Sequence, residues 1–192
     1  MLDSAWTTVF KSLIVIHTMI REGRQNTTLK HLASNPHQLL AINEKVKRKD
    51  QNLKTYVEYL TQRAKSYSIS KIDPIRADSG HLAAFGIGYE MLQEIVSIQD
   101  MISTLLACGV LLSEPQDDIS LAAFRLLIKD LIVMYLLINE GMIIILRHFS
   151  ELSRPDAKRA VHIYQVSVDL ANEVVGYFSV AARYKNVSLG MP

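Results

Sequence analysis

The stretch LAAFRLLIKDLIVMYLLINEGMIIILRHF, residues 121–149, decides the fold. Its apolar side chains recur at alternating steps of three and four residues, which predicts one face of an α-helix about eight turns long. The members of this stripe are Leu121, Phe124, Ile128, Leu131, Tyr135, Ile138, Met142, Ile145 and Phe149. Other apolar residues, such as Leu126, Val133 and Leu137, lie elsewhere on the same helix. A helix that is apolar on several sides is covered by neighbours, and Gly141 is a place for a bend or close packing.

The next segment shows the same spacing. Its apolar residues predict the core face of a second long helix, and they are Ala157, Val161, Tyr164, Val168, Ala171, Val175, Phe178 and Ala182. The sequence Ser153-Arg154-Pro155-Asp156 favours a helix start. The serine hydroxyl can cap free backbone N–H groups, proline fits the first turn, and an acid suits the positive helix end.

Three further helices are predicted upstream by the same period, along 6–20, 53–67 and 91–105. Gly23 ends the first and Gly109 the last. X-Pro steps at 35–36, 73–74, 114–115 and 154–155 break the pattern, and no segment alternates as a strand followed by a hairpin would. The prediction is one all-α domain of about six main helices, arranged as a bundle or a short solenoid.

Composition supports a globular domain. Apolar residues make up 49% and charged residues 21% of 192 residues, which is ample for a real core. The single cysteine, Cys108, excludes an intrachain disulfide framework and is interpreted as a small buried residue. The N-terminus lacks a basic region typical of a signal peptide. The most apolar stretch contains Lys129, Asp130 and Glu140, so no membrane span is predicted.

Signals for catalysis are missing from the sequence. There is no GxGxxG, GxxxxGK[ST], HExxH or GxSxG motif. His17 and His162 adjoin apolar stripes, where a core or groove residue is commoner than a metal ligand. Asp117-Asp118 is interpreted as the acidic start of the long helix rather than a magnesium-binding pair. We therefore predict no catalytic residue, no metal site, no cofactor and no enzymatic activity.

Positive charge is concentrated in a basic zone about one third of the way along the chain. Residues 45–76 hold nine basic and three acidic residues. The densest part is Lys45, Lys47, Arg48 and Lys49, predicted as an exposed loop, and further cations at Lys54, Arg63, Lys65, Lys71 and Arg76 extend the positive field. Such a segment binds anionic headgroups or nucleic acid, or is only a solvated face. No aromatic residues interleave the cluster, which disfavours nucleic acid as the partner.

Several segments resemble the ANTH domain of endocytic clathrin assembly proteins, the phosphatidylinositol-binding clathrin adaptors, of the fungal type. The resemblance covers nearly all 192 residues in the right order, and it is carried by Trp6–His17, Met19–Gly23, Leu32–Ser34, Tyr56–Leu60, Ala64–Tyr67, Lys71–Asp73, Leu121–Asp130, Asn139–Met142, Ser153–Ala157, Ile163–Tyr164 and Phe178–Tyr184. It implies a right-handed α-solenoid of stacked antiparallel helices. It also implies a non-enzymatic adaptor that binds phosphatidylinositol-4,5-bisphosphate at the plasma membrane and supports clathrin coat assembly.

The sequence departs from the family pattern in two places: at its N-terminus, and at Gly80–Phe85, which is neutral here where fungal relatives tend to be basic, whereas 45–49 is unusually basic. Relatives have about three helices before the segment matching Trp6, with a lysine cluster that grips the headgroup, so residues 1–192 are expected to be one N-terminally truncated ANTH-like domain without that motif. No residue of this chain is therefore assigned the headgroup-binding role of that motif. The basic residues Lys45, Lys47, Arg48 and Lys49 are a hypothetical substitute lipid site. Clathrin and endocytic adaptors are expected to bind a tail beyond residue 192.

Resemblance to the family further implies a groove that takes a SNARE helix. Leu146 and Ala171 stand at the matching positions, although ordinary helix packing explains both residues as well. A second interpretation of the chain is therefore a protein–protein scaffold that binds a SNARE-like or other partner helix without lipid contact. The expected location is cytoplasmic and peripheral, at the plasma membrane and at clathrin-coated pits and vesicles.

Overall fold

Six α-helices build the part of the chain that the computed structural model describes, residues 4–35, 40, 51–78, 80–109 and 118–182. They are α1 (Ser4–Glu22), α2 (Thr27–Ser34), α3 (Gln51–Ser70), α4 (Tyr89–Leu106), α5 (Asp118–Arg147) and α6 (Arg154–Ala182). Single 3-10 turns lie at Pro74–Arg76, Ala83–Phe85 and Phe149–Glu151, and these ranges contain no strand. The predicted all-α class and the number of main helices are confirmed.

The long helix α5 lies at the centre, as predicted. It contacts α1, α4, α6 and the Pro74–Arg76 turn, so neighbours cover several of its sides. Most of the predicted stripe is buried, including Phe124, Ile128 and Leu131. Phe149 is an exception: α5 ends at Arg147, and this side chain is 42% exposed on the following turn. The prediction that Phe149 belongs to the core face was wrong.

Gly141 marks a close approach between α5 and α4. A Cβ atom at this position would lie 2.8 Å from Ile95 Cδ1 and 3.3 Å from Leu82 Cδ1. Real Cβ atoms do not come so near to a neighbour, so glycine lets the two central helices touch at this point. The sequence prediction of close packing at Gly141 is confirmed.

The buried face of α6 differs from the predicted one. Against α4 and α5 the helix buries Ala160, Ile163, Ser167, Leu170, Val174, Tyr177 and Ala181. Each lies one residue before a member of the predicted stripe, which corresponds to a rotation of about 100°. The outward stripe of α6 (157, 161, 164, 168, 171, 175, 178, 182) is therefore exposed or half-buried. The prediction failed because the true core face includes the polar Ser167, whereas every member of the outward stripe is apolar.

Two smaller predictions are confirmed at helix ends and in the core. The Asp156 backbone N–H donates to Ser153 Oγ at 3.3 Å, so the serine caps the start of α6. Cys108 is fully buried with a free thiol. Burial raises the pKa of that thiol to about 12, which makes Cys108 an inert core residue.

Candidate functional site

Donors from two helices converge on the carboxylate of Asp130, which is fully buried in the middle of α5. Nε2 of His17 on α1 lies 2.6 Å from Oδ2. From α3, the Tyr59 hydroxyl donates to Oδ2 at 2.6 Å and Arg63 Nη1 donates at 2.7 Å. Arg21 Nη1 on α1 donates to Oδ1. One side chain of α5 thus joins α1 and α3.

Arg63 connects Asp130 to a second buried carboxylate. Its Nη2 donates to Asp73 Oδ2 at 2.7 Å, and its Nε donates to Oδ1 at 3.2 Å. This fork geometry is the strong form of an arginine–carboxylate pair, and it ties α3 to the Pro74–Arg76 turn, which follows Asp73 directly. The Tyr56 hydroxyl lies 2.8 Å from Nδ1 of His17. We call this set the central polar network: His17, Arg21, Tyr56, Tyr59, Arg63, Asp73 and Asp130.

The protonation states of the network follow from burial and from the charges nearby. Burial alone would raise the pKa of Asp130, but the Arg63 charge, the hydrogen bond from His17 and the Arg21 charge outweigh it and hold that pKa well below its usual range. Burial lowers the pKa of His17 more than Asp130 raises it, so the imidazole is neutral. A carboxylate only accepts hydrogen bonds, so Nε2 carries the proton and Nδ1 accepts from the Tyr56 hydroxyl.

The charges of the network cancel inside the core. Asp73 and Asp130 are balanced by Arg21 and Arg63, with His17 neutral. Arg63 is 1% exposed and Asp130 is not exposed at all, so the ion pair between these two residues is not presented to a substrate. The arrangement has no nucleophile with an adjacent base. Its chemical role is to fix the relative positions of α1, α3, α5 and one turn.

Sequence reasoning identified only part of this network. His17 was predicted as a core or groove residue, and its burial is confirmed. Asp130 was seen only as a polar interruption of an apolar stretch. A signal for it existed, because it adjoins Leu131 and follows Leu127 by three residues on the core face of α5. A carboxylate on the core face of a helix is stable only when buried hydrogen-bond donors or cations pair with it.

The basic field on the surface is smaller than the sequence predicted. Arg63 was placed in it wrongly, because both of its charged partners lie in the core. Arg76 also turns inward, and its Nη1 donates to the carbonyls of Ile20 and Gly23, each at 2.9 Å. Lys54, Lys65 and Lys71 remain at least partly exposed. The densest cluster, Lys45, Lys47, Arg48 and Lys49, lies outside the described residues.

Leu146 and Ala171 lie on the outer surface but far apart along the helices. Leu146 is 62% exposed near the end of α5. Ala171 is half-buried on the outward stripe of α6, 17 residues after Arg154, which is about 26 Å along the axis. Because the link between α5 and α6 is short, Leu146 lies near the beginning of α6. Between the beginning of α6 and Ala171, the outward stripe contains Val161, Tyr164 and Val168, and each of these side chains is nearly half exposed.

The described ranges contain neither a metal-binding cluster nor a membrane-spanning helix. Among the described residues, no group of three or more histidine, cysteine, aspartate or glutamate side chains is placed to hold a metal ion. Within those limits too, no helix combines the length and the apolar character needed to cross a bilayer.

The described helices pack around an apolar core that encloses the charge-neutral central polar network, and together they define an all-α scaffold. The sequence model of the ANTH domain family matches residues 1–188, and the chain belongs to this family.

Among its relatives, clathrin coat assembly protein AP180B of Saccharomyces cerevisiae is 33% identical over 199 residues, covering 99% of this chain and 34% of the relative. An ENTH domain-containing protein of Schizosaccharomyces pombe is 31% identical over 97% of this chain and 29% of its own length. Clathrin coat assembly protein AP180 of Mus musculus is 27% identical over 94% of this chain and 21% of its own length. The chain therefore spans between 21% and 34% of the length of these relatives.

Proposed function

We propose that this chain is a non-enzymatic domain of an endocytic clathrin adaptor, acting peripherally at the cytoplasmic face of the plasma membrane and at clathrin-coated pits and vesicles. The observation that carries the proposal is the match of the ANTH family over residues 1–188. Relatives named clathrin coat assembly proteins support it. The scaffold of packed helices suits an adaptor, because it offers separate surfaces for lipid and for protein partners. Clathrin and other endocytic adaptors are the partners that this role implies.

Phosphatidylinositol-4,5-bisphosphate is the membrane ligand in this proposal. The resemblance to the family supports it, and the cluster Lys45, Lys47, Arg48 and Lys49 offers four cations for the headgroup. The test is sedimentation of the chain with vesicles after all four residues are changed to glutamate. Lys54→Glu is the control, because it alters one exposed cation on α3 outside the cluster.

The expected result is a large loss of binding to vesicles that contain the phosphoinositide, with little change in the control. Binding should also weaken steeply with salt. Unchanged vesicle binding by the fourfold variant would remove residues 45–49 from the proposal. No binding by the wild-type chain would remove lipid as a ligand of residues 1–192.

A second candidate function is docking of a SNARE-like helix, with or without lipid contact. The observation that favours it is the outward stripe of α6, whose four exposed large residues Val161, Tyr164, Val168 and Val175 keep the alternating spacing of a coiled-coil seam. Ala171 lies in this stripe, and Leu146 would contact the end of a helix bound along it.

The test measures binding of a labelled SNARE-motif peptide by fluorescence anisotropy. Val168→Asp and Leu146→Ser should each weaken binding about tenfold or more, because each removes apolar area at the contact. Val15→Asp is the matched control, since Val15 is 56% exposed on α1, away from the stripe. Equal effects of all three variants, or no peptide binding, would contradict docking on α6.

A further inference from the structure

The outward stripe of α6 keeps one spacing over its whole length. Its eight members are separated by steps of 4, 3, 4, 3, 4, 3 and 4 residues, which is the a/d spacing of a coiled-coil seam. The stripe extends from Ala157 to Ala182, about 38 Å along the helix axis. Its exposed large side chains are Val161, Tyr164, Val168 and Val175. Because α6 packs against α4 and α5 with a different face, this stripe lies outside the packed core.

The order of these steps reads the same from both ends of the stripe. If a second α6 helix is laid antiparallel, every member of the stripe therefore comes to lie opposite another member. The midpoint falls between Asp169 and Leu170, and the resulting layers are Val168 with Ala171, Tyr164 with Val175, Val161 with Phe178, and Ala157 with Ala182. In the central layers a larger side chain faces a smaller one, so the two helices can approach closely. The stripe is thus complementary to itself, as a two-fold dimer requires.

The charges along α6 favour the same antiparallel direction. Between Arg154 and Val168 the helix carries three basic residues and one acidic residue, a net charge of +2 with histidine neutral. Between Asp169 and Ala182 it carries two acidic residues and no basic residue, a net charge of −2. An antiparallel pair brings the positive half of one helix to the negative half of the other, whereas a parallel pair sets like halves together. The helix dipoles favour the antiparallel pair as well.

The exposed flank of the stripe is compatible with a second copy. Its residues follow the d positions of the seam, and they are Lys158, Gln165, Asn172 and Ser179, all exposed. In the antiparallel pair Gln165 lies close to Asn172 of the other copy, and Lys158 lies close to Ser179. These pairs can form hydrogen bonds, and no like charges meet.

The size of the contact sets its strength. The eight residues of the stripe and the four of its flank give twelve residues on each side. A stable interface of standard size has about 20–30 residues a side. The other flank of the seam cannot contribute, because it is the face that α6 buries in its own core. The contact therefore suits a weak dimer that forms when the chain is concentrated.

We infer that the outward stripe of α6 is an interface between two copies of this chain, joined antiparallel about a two-fold axis near Asp169 and Leu170. This dimer needs neither lipid nor clathrin, so the inference stands apart from the proposed lipid binding. A second copy and a docked partner helix exclude each other, because both cover the same stripe. Failure of the helix-docking proposal would leave the dimer in place.

Analytical ultracentrifugation of the whole chain, from about 1 µM to about 1 mM, measures the association. The wild type should pass from monomer to dimer within this range. Val168→Asp should weaken the dimer about tenfold or more, because it places a carboxylate in the contact twice. Val15→Asp is the matched control, since Val15 is exposed on α1, and it should leave the dimer unchanged. Circular dichroism checks that both variants are folded.

Disulfide cross-linking tests the direction of the two helices. The only native thiol, Cys108, is buried, so it does not interfere with cysteines introduced as Tyr164→Cys and Val175→Cys. In the antiparallel pair these two positions face each other, whereas the two copies of residue 164 are eleven residues apart along the axis, about 17 Å. That exceeds the Cα separation of about 7 Å that a disulfide tolerates. An oxidised mixture of the two variants should therefore give the mixed disulfide, and each variant alone should give little cross-linking.

Three results would overturn the inference. The first is a wild-type chain that stays monomeric over the whole concentration range, and binding of the labelled SNARE-motif peptide to such a monomer would identify a partner helix as the occupant of the stripe. The second is a dimer that Val168→Asp and Val15→Asp affect equally, since this would place the contact elsewhere. The third is efficient cross-linking of each cysteine variant with itself, which would show a parallel pair.

Discussion

Replacing Asp130 with asparagine removes the charge around which the core is organised. The side chain keeps nearly the same size, so the change tests electrostatics rather than packing. In the structure three donors, from His17, Tyr59 and Arg63, converge on Oδ2 and a fourth, from Arg21, reaches Oδ1. The asparagine side chain has a single acceptor oxygen, which can take the place of either Oδ1 or Oδ2. Its NH₂ group occupies the other position, where it faces a hydrogen-bond donor instead of an acceptor.

The expected cost follows from the charges left behind. Without Asp130 the buried network keeps Asp73 against two arginines, and Arg63 is 1% exposed, so water does not compensate the surplus cation. Breaking a buried ion pair in this way costs about 3–5 kcal/mol. That is a large part of the roughly 5–15 kcal/mol that stabilises a typical domain. We therefore expect Asp130→Asn to be severely destabilised or unfolded.

Urea denaturation followed by far-UV circular dichroism measures the effect. Asp169→Asn is the matched control, because Asp169 is exposed on α6, and it should change the free energy of unfolding by less than about 0.5 kcal/mol. Arg63→Met should be destabilising as well, and the double variant with Asp130→Asn should cost less than the sum, because the residues are in contact. A loss below about 1 kcal/mol in Asp130→Asn would refute the account of the core.

Three other predictions follow from the same structure. The free energy of unfolding should fall as the pH drops below about 6.5, because His17 binds a proton in the unfolded chain but not in the folded one. It should fall further below about pH 4, because Asp130 takes up a proton only when the chain unfolds. Urea midpoints measured between about pH 7 and pH 3 check this, and a flat profile would contradict it. Gly141→Ala should destabilise the protein by about 1–3 kcal/mol, because the added methyl group would contact Ile95. Gly176→Ala should stabilise it by about 0.5–1 kcal/mol, because this glycine lies inside α6 and an added Cβ would meet no atom within 4 Å. Thermal melts that give both changes the same sign would count against the described packing. Cys108 should resist thiol reagents in the folded protein and react fully in urea, and rapid labelling without denaturant would show that it is not buried.

Much of the fold could be predicted from local pattern, and α5 shows why. Its core face repeats over some eight turns, so single polar residues such as Lys129 do not hide the period. Gly141 could be marked as a close approach because glycine lacks a side chain. These features depend on residues that are neighbours on one helix, and the sequence displays such neighbours directly.

The face of α6 could not be predicted in the same way. Val161, Tyr164 and Val168 form a stronger apolar pattern than the Ala160, Ile163 and Ser167 that the structure buries. Which of two stripes one residue apart faces the core depends on the shape of α4 and α5. The serine is compatible with burial because the Gln99 amide of α4 donates to Ser167 Oγ at 2.9 Å. That partner lies 68 residues away in the chain.

Arg63 shows that the placement of a charged residue is equally hard to predict from the sequence. In the sequence it belongs to a basic segment and looks like part of a cationic surface. In the structure it is buried between Asp73 and Asp130, and Asp130 lies 67 residues further along the chain. A count of charges along the chain gives no information about such pairing. The predicted lipid residues 45–49 and the groove residues Leu146 and Ala171 remain predictions.

The most direct test of the adaptor proposal is sedimentation of this chain with phosphatidylcholine vesicles, with and without phosphatidylinositol-4,5-bisphosphate, at low and at moderate salt. We expect binding only when the phosphoinositide is present, and weaker binding at the higher salt because the contact is made by lysine and arginine side chains. Equal sedimentation with and without the phosphoinositide would contradict the proposal that this ANTH domain recognises the membrane through that lipid.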